Sequence, residues 1–152
     1  VIALSFTARR LIHALVIVVV STLAARTHAD DLILISPHWE GVKREVEVGF
    51  GEYYRKRNGR DVELRWLDVG GTSDILKYIR SEFRSKPDGI DVDVLFGGGT
   101  DPFIELAQTE VLAPHKLPGA QLSPIPSELG GIPLYDPEYK WYAAGMSTFG
   151  IL

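Results

Sequence analysis

Three short apolar runs, Leu32-Ile33-Leu34-Ile35, Val62 to Leu67 and Val92 to Phe96, each stop at a polar or glycine-rich junction, and each is followed by a stretch with helical spacing. No other feature of the chain constrains its fold as strongly. Strand-helix alternation of this kind implies parallel pairing through right-handed crossovers, so the expected class is α/β with a mostly parallel sheet. The first run is continuous rather than alternating, as in a strand buried on both faces, and it ends at Ser36-Pro37-His38-Trp39. A helix is expected from about Glu40 to Lys56, with Val42, Val46, Phe50 and Tyr53 on its apolar face and Asn58-Gly59 as its stop.

The second run opens into Asp68-Val69-Gly70-Gly71-Thr72-Ser73, and the next helix sets Ile75, Leu76, Ile79 and Phe83 on one face before Pro87-Asp88-Gly89. The third run enters Gly97-Gly98-Gly99-Thr100. There Asp101 reads as an N-cap with Pro102 at the first helical position, and the helix continues through Leu106 and Ala107. Past Leu112 six prolines break any long element. The interleaved Leu117, Leu122, Ile125, Leu129, Ile132, Leu134 and Tyr135 nevertheless read as coverage packed on the core. Trp141 to Ser147 reads as a further strand approach, and the chain ends within the apolar Phe149-Gly150-Ile151-Leu152.

The 152 residues are 45% hydrophobic and 24% charged, which suits one globular domain. Cysteine is absent, so disulfides, thiolate zinc sites and cysteine nucleophiles are excluded together. At the N-terminus Arg9 and Arg10 precede the apolar stretch Leu11 to Ala25 and the small-residue exit Thr27-His28-Ala29, the order of a cleavable export signal over residues 1–29. A membrane anchor is the rival reading, but it needs roughly 20 apolar residues, and this stretch carries His13, Ser21 and Thr22 within it. Arg9-Arg10 is also compatible with twin-arginine export. Taking Arg9, Arg10 and Arg26 away from 16 basic residues leaves 13 against 20 acidic ones in the mature part. Such an acidic domain is poorly matched to nucleic acid or to anionic membrane.

Open α/β sheets bind ligands beyond the carboxyl ends of their strands, so the three junctions are where function is expected. Ser36, His38 and Trp39 stand at the first, with Glu40 beside them; Gly71 and Thr72, flanked by Gly70 and Ser73, at the second; the backbone of Gly97, Gly98 and Gly99 with Thr100 and Asp101 at the third. Hydroxyls, an imidazole, an indole face and glycine backbone together make a polar cleft wall, and helix starts aimed at it offer free N–H groups to oxygen-rich ligands. Plainer roles fit the same residues. Ser73 and Asp101 suit helix caps as well as ligand contacts, Trp39 suits a loop staple, and the glycines suit a tight turn.

Leu32-Ile33-Leu34-Ile35-Ser36-Pro37-His38-Trp39-Glu40-Gly41, then Gly70-Gly71-Thr72-Ser73-Asp74-Ile75, then Asp93-Val94-Leu95-Phe96-Gly97-Gly98-Gly99, all behind an export signal, resemble an extracellular solute-binding protein of ABC importers. The likeness is to the type II periplasmic branch that includes ferric-iron, thiamine, phosphonate and polyamine binders. Pro133-Leu134-Tyr135, Trp141-Tyr142 and Ser147-Thr148-Phe149-Gly150-Ile151 are similar to the stretch before that family's first hinge crossing. The resemblance implies a type II binding-protein lobe over residues 30–152, in a chain that stops before the second lobe is completed. It implies a soluble, monomeric envelope receptor without chemistry of its own, which captures a small solute and delivers it to an inner-membrane permease. Ferric iron, a small oxyanion or an organic solute fits as cargo; no resident cofactor is expected, and His38 is the one metal-ligand candidate, with Glu40 or Asp101 as carboxylates nearby in sequence.

Two other classes compete with this expectation. A secreted α/β hydrolase would use His38 with Ser36 or Asp68, yet the chain has no Gly-x-Ser-x-Gly elbow, His-Glu-x-x-His pair or Gly-x-x-x-x-Gly-Lys-Ser/Thr loop. A secreted interaction domain without transport function would show no stabilisation by small solutes.

Overall fold

The computed structural model describes residues 30–145; residues 1–29, where an export signal is expected, and the residues after Gly145 lie outside them. Strand β1 (Asp30–Ile35) sits between β2 (Val62–Leu67) and β3 (Val94–Leu95), and both pairings are parallel. Helix α1 (Glu40–Asn58) connects β1 to β2, and α2 (Thr72–Ser85) carries the chain back across β1 to β3. Helix α3 (Thr100–Gln108) follows β3; a single turn α4 (Gly119–Leu122) and a small antiparallel hairpin, β4 (Glu128–Leu129) with β5 (Ile132–Pro133), come later. The chain is therefore a small α/β protein built on a parallel three-stranded sheet with the order β2-β1-β3.

Side chains alternate across the sheet and sort the helices into two layers. Ile35, Leu67 and Leu95 point to the layer of α2 and α3, where Ile35, Ile75, Ile79 and Leu106 form the buried core. Leu34 and Trp66 point the other way, toward α1, and the Trp66 indole Nε1–H donates to Glu47 of that helix at 2.7 Å. β1 is buried most at its carboxyl end, where Ile35 has no solvent exposure.

Several local expectations need correction. The inward position at the end of α1 is Tyr54, not Tyr53, which is 50% exposed. Spacing by four from Phe50 keeps Tyr54 on the sheet side, where its hydroxyl donates to the Asp30 carboxylate. The third strand is shorter than its apolar run and Val94 is exposed. Even so, Asp93 N–H donates to Ile33 O at 2.8 Å, the Asp93 carboxylate accepts the Ile33 N–H, and Phe96 N–H donates to Ile35 O at 3.0 Å. Helix α3 starts at Thr100 behind Gly99, so Asp101 is its second residue and Pro102 its third. Proline is tolerated there because N–H groups of a first turn have no intrahelical acceptor. Likewise Gly71 precedes α2, and Ser73 is its second residue rather than its cap.

Beyond Leu112 the coverage is selective. Leu134 and Trp141 are buried, while Leu129 and Ile132 sit on the exposed hairpin. Tyr142 forms a single antiparallel bridge to Tyr135 in place of a strand, and its hydroxyl donates to His115 O at 2.8 Å.

The Asp30 carboxylate, as the acceptor of the Tyr54 hydroxyl, pushes the Tyr54 pKa up from its ordinary value. A tyrosine whose folded pKa exceeds its unfolded value stabilises the fold below about pH 10 and loses that contribution as the pH rises through the folded value. The melting midpoint of wild type is therefore expected to fall more steeply above about pH 10 than that of Tyr54→Phe. Parallel slopes for the two proteins between neutral and strongly alkaline pH would remove this linkage.

Candidate functional site

The sheet order reverses between β1 and β3, which makes their carboxyl ends the switch point where such sheets hold ligands. Here the chain leaves β1 through Ser36, which is 2% exposed and whose Oγ accepts the His38 N–H at 3.2 Å. That turn sends the His38 imidazole over the end of β3. Its ring centroid lies 5.2 Å from that of Phe96, and a Cβ at Gly97 would overlap its Nε2 and lie 2.7 Å from its Cδ2. Gly97 has φ 88°, a conformation glycine adopts freely, so the same position meets both demands.

The second junction closes on the same point. A Cβ at Gly98 would stand 3.2 Å from Thr72 Cγ2, 3.3 Å from Thr72 Oγ1 and 3.8 Å from Pro37 Cγ. Residues from all three junctions, Pro37 and His38, Thr72, and Gly97 and Gly98, thus meet over the carboxyl edge of the sheet. Gly71 and Gly99 precede α2 and α3, with open space where their side chains would be. Thr100 is half-buried at the start of α3.

Trp39 stands at the outer margin of this cluster. It is the N-cap of α1, is 74% exposed, and lies across Gly41 of its own helix, where any Cβ would overlap the indole. It does not staple the loop to the core. An exposed indole held flat against a helix start is a ready stacking face.

None of the three helix starts has a side-chain cap hydrogen bond; the Val42 and Asp74 N–H groups donate to Trp39 O and Gly71 O at 3.0 Å, and Pro102 has no N–H, so the donors left to solvent or ligand are those of the first two residues of each helix. Each first turn also carries a carboxylate, Glu40, Asp74 or Asp101, favourably placed against the helix dipole. Glu40 pairs with the buried Lys43 at 2.8 Å and Asp74 with Lys77 at 3.2 Å. Asp101 is exposed. The site therefore presents backbone donors inside a rim of acidic side chains. Among the described residues no three His, Asp or Glu side chains come together as a metal-holding group, so a ferric ion at His38 would need its remaining ligands from elsewhere.

Sequence reasoning selected His38, Thr72 and Gly98 and offered the backbone of Gly97, but passed over Pro37 and Phe96 as candidate contacts. Phe96 had a visible signal: an aromatic residue that ends a strand one step before a glycine can back a neighbouring loop. Among the described residues no helix is long and apolar enough to cross a membrane. Comparison with protein-family models, curated proteins and solved structures gives no match.

Proposed function

We propose that the chain forms the ligand-binding lobe of an envelope solute receptor of the ABC-importer type, exported by its N-terminal signal and loading an inner-membrane permease. The observation that carries this reading is the meeting of all three strand-to-helix junctions at the β1/β3 switch point, with the His38 imidazole seated on Gly97. Backbone donors at three uncapped helix starts suit oxygen atoms of a solute, the imidazole adds a donor or acceptor, and Trp39 adds a stacking face. The type II lobe architecture belongs to the same proposal: β2-β1-β3 is the beginning of such a doubly wound sheet, supplying one wall of a cleft that a second lobe would close.

A thermal-shift screen of the full-length protein tests it, with ferric citrate, a phosphonate, a sugar phosphate, thiamine and spermidine as probes. A solute held at 100 times its Kd stabilises the protein by about 2.7 kcal/mol, which raises the midpoint by several degrees. Because Trp39 is exposed, Trp39→Ala is expected to leave the ligand-free stability within about 0.5 kcal/mol while abolishing most of the shift. A panel without any shift, or a shift that Trp39→Ala and His38→Ala both retain, contradicts the reading.

A further inference from the structure

Strand β2 is an edge strand: in the order β2-β1-β3 nothing among the described residues pairs with its far side. It is six residues long, Val62-Glu63-Leu64-Arg65-Trp66-Leu67. Edges are commonly kept from pairing by proline or by charges of one sign, but this one has no proline, and its two charges are opposite. Its hydrogen-bonding direction follows from the ladder to β1. Asp30 stands opposite Val62 and its N–H donates to Asp61 O at 3.2 Å, so in this parallel pairing the odd-numbered residues of β2 bond β1. The N–H and C=O groups of Val62, Leu64 and Trp66 therefore point to the open edge. Their side chains are half-buried on the α1 face of the sheet, while Glu63 and Arg65 are exposed on the other face. Arg65 pairs with Asp31 of β1 at 2.8 Å. Glu63 stands directly opposite the same Asp31 and makes no ion pair among the described residues, so two carboxylates face each other across the ladder.

We propose that the β2 edge is a dimerisation surface whose partner is a second copy of this chain, the two β2 strands running antiparallel about a two-fold axis at Leu64. Charge selects this register. The outward backbone groups meet only when even-numbered residues face even-numbered ones. A slip of two residues one way sets Glu63 opposite Glu63 of the second copy, and a slip the other way sets Arg65 opposite Arg65. With Leu64 opposite Leu64, each Glu63 faces an Arg65, each Val62 faces a Trp66, and every outward N–H and C=O of Val62, Leu64 and Trp66 finds a partner. The charged pairs then occupy the non-hydrogen-bonded positions, where side chains approach most closely. Arg65 bridges Asp31 of its own chain and Glu63 of the other, which offsets the facing carboxylates. Val62 to Trp66 is thus its own complement about Leu64, and that favours a second copy over an unrelated strand. The contact is isologous and joins two three-stranded sheets into one. Although the family resemblance implies a monomer, β1 separates this edge from the β1/β3 switch point, so the dimer and the solute site stand independently.

Sedimentation velocity on the full chain is expected to show a monomer–dimer equilibrium. Glu63→Arg, at an exposed residue with no ion pair to lose, sets like charges opposite each other twice and weakens the dimer at least about tenfold. Arg65→Glu does the same with the other sign, and mixing the two variants restores opposite charges at both positions and with them the dimer. The chain has no cysteine, so an introduced one reads the register. Facing residues of a hydrogen-bonded pair have Cα atoms about 5.5 Å apart, within disulfide reach, whereas the two copies of residue 62 stand about 13 Å apart. Leu64→Cys is therefore expected to oxidise to a covalent dimer much faster than Val62→Cys. That comparison decides alone if Arg65→Glu, which loses its bond to Asp31, melts early. The proposal is overturned by a chain that stays monomeric up to about 1 mM, or by a dimer that Glu63→Arg leaves intact. A mixture of folded variants that pairs no better than its parts overturns it too, as does equal oxidation at the two cysteine positions.

Discussion

Ile35→Ala is expected to lower the unfolding free energy by about 3–4 kcal/mol, enough to cut the urea midpoint by about 2 M. Ile35 is fully buried, lies on the central strand, and shares the core with Ile75, Ile79 and Leu106 from the two helices that follow. Truncation removes three carbons from a place where β1, α2 and α3 all press together, and a sheet held from both sides collapses little around the void. Since small domains are stable by only about 5–15 kcal/mol, a loss of this size takes a large share of the total. Ile132→Ala gives the contrast: it removes an equal amount of side chain from a hairpin where Ile132 is 46% exposed, and its cost is expected to be far smaller. Equal midpoints for the two variants would contradict the placement of the core.

The second large effect is at Gly97. Gly97→Ala is expected to cost about 3 kcal/mol, combining a side chain at positive φ with a Cβ driven into the His38 ring. These contributions separate in a double-mutant cycle. In a His38→Ala background the collision is gone and only the backbone term remains, so the cost of Gly97→Ala is expected to fall to about 1–2 kcal/mol. The coupling between the positions is then the energy with which the imidazole occupies its seat. Strict additivity of the two substitutions would show that His38 does not rest on Gly97.

The alternation of apolar runs with helical spacing was enough to read β1, α1, β2 and α2 and the parallel sense of the sheet, because burial on two faces leaves an unbroken apolar stretch that few other folds tolerate. What it did not show was how far each side chain is buried. Tyr53 and Tyr54 are adjacent, chemically alike and spaced three and four residues from Phe50, and it is the four-residue step that faces the sheet, where Asp30 accepts the Tyr54 hydroxyl. The start of α3 was placed two residues late because Asp101-Pro102 is a strong local signal. Three successive glycines at φ 88°, 106° and 89° override it by turning the chain early. Val94 belongs to an apolar run and still lies exposed, since its burial depends on what flanks β3 rather than on its own strand. In the candidate site, the individual junctions were legible as polar strand ends. Their joining in one cleft wall was expected from strand ends alone, but the particular contacts were not, because the seating of His38 on Gly97 and of Thr72 beside Gly98 depends on the order β2-β1-β3, which periodicity does not encode.

The most direct measurement is the ligand-induced rise in melting midpoint for a solute that stabilises wild type, repeated on His38→Ala, Trp39→Ala and Val48→Ser. Val48 is 55% exposed on α1 and stands apart from the junctions, so it controls for a surface change on the same helix. A switch-point receptor predicts that the rise persists in Val48→Ser and is lost in both His38→Ala and Trp39→Ala, with each variant folded at the start. A rise of equal size in all four proteins would place the solute elsewhere and contradict the account.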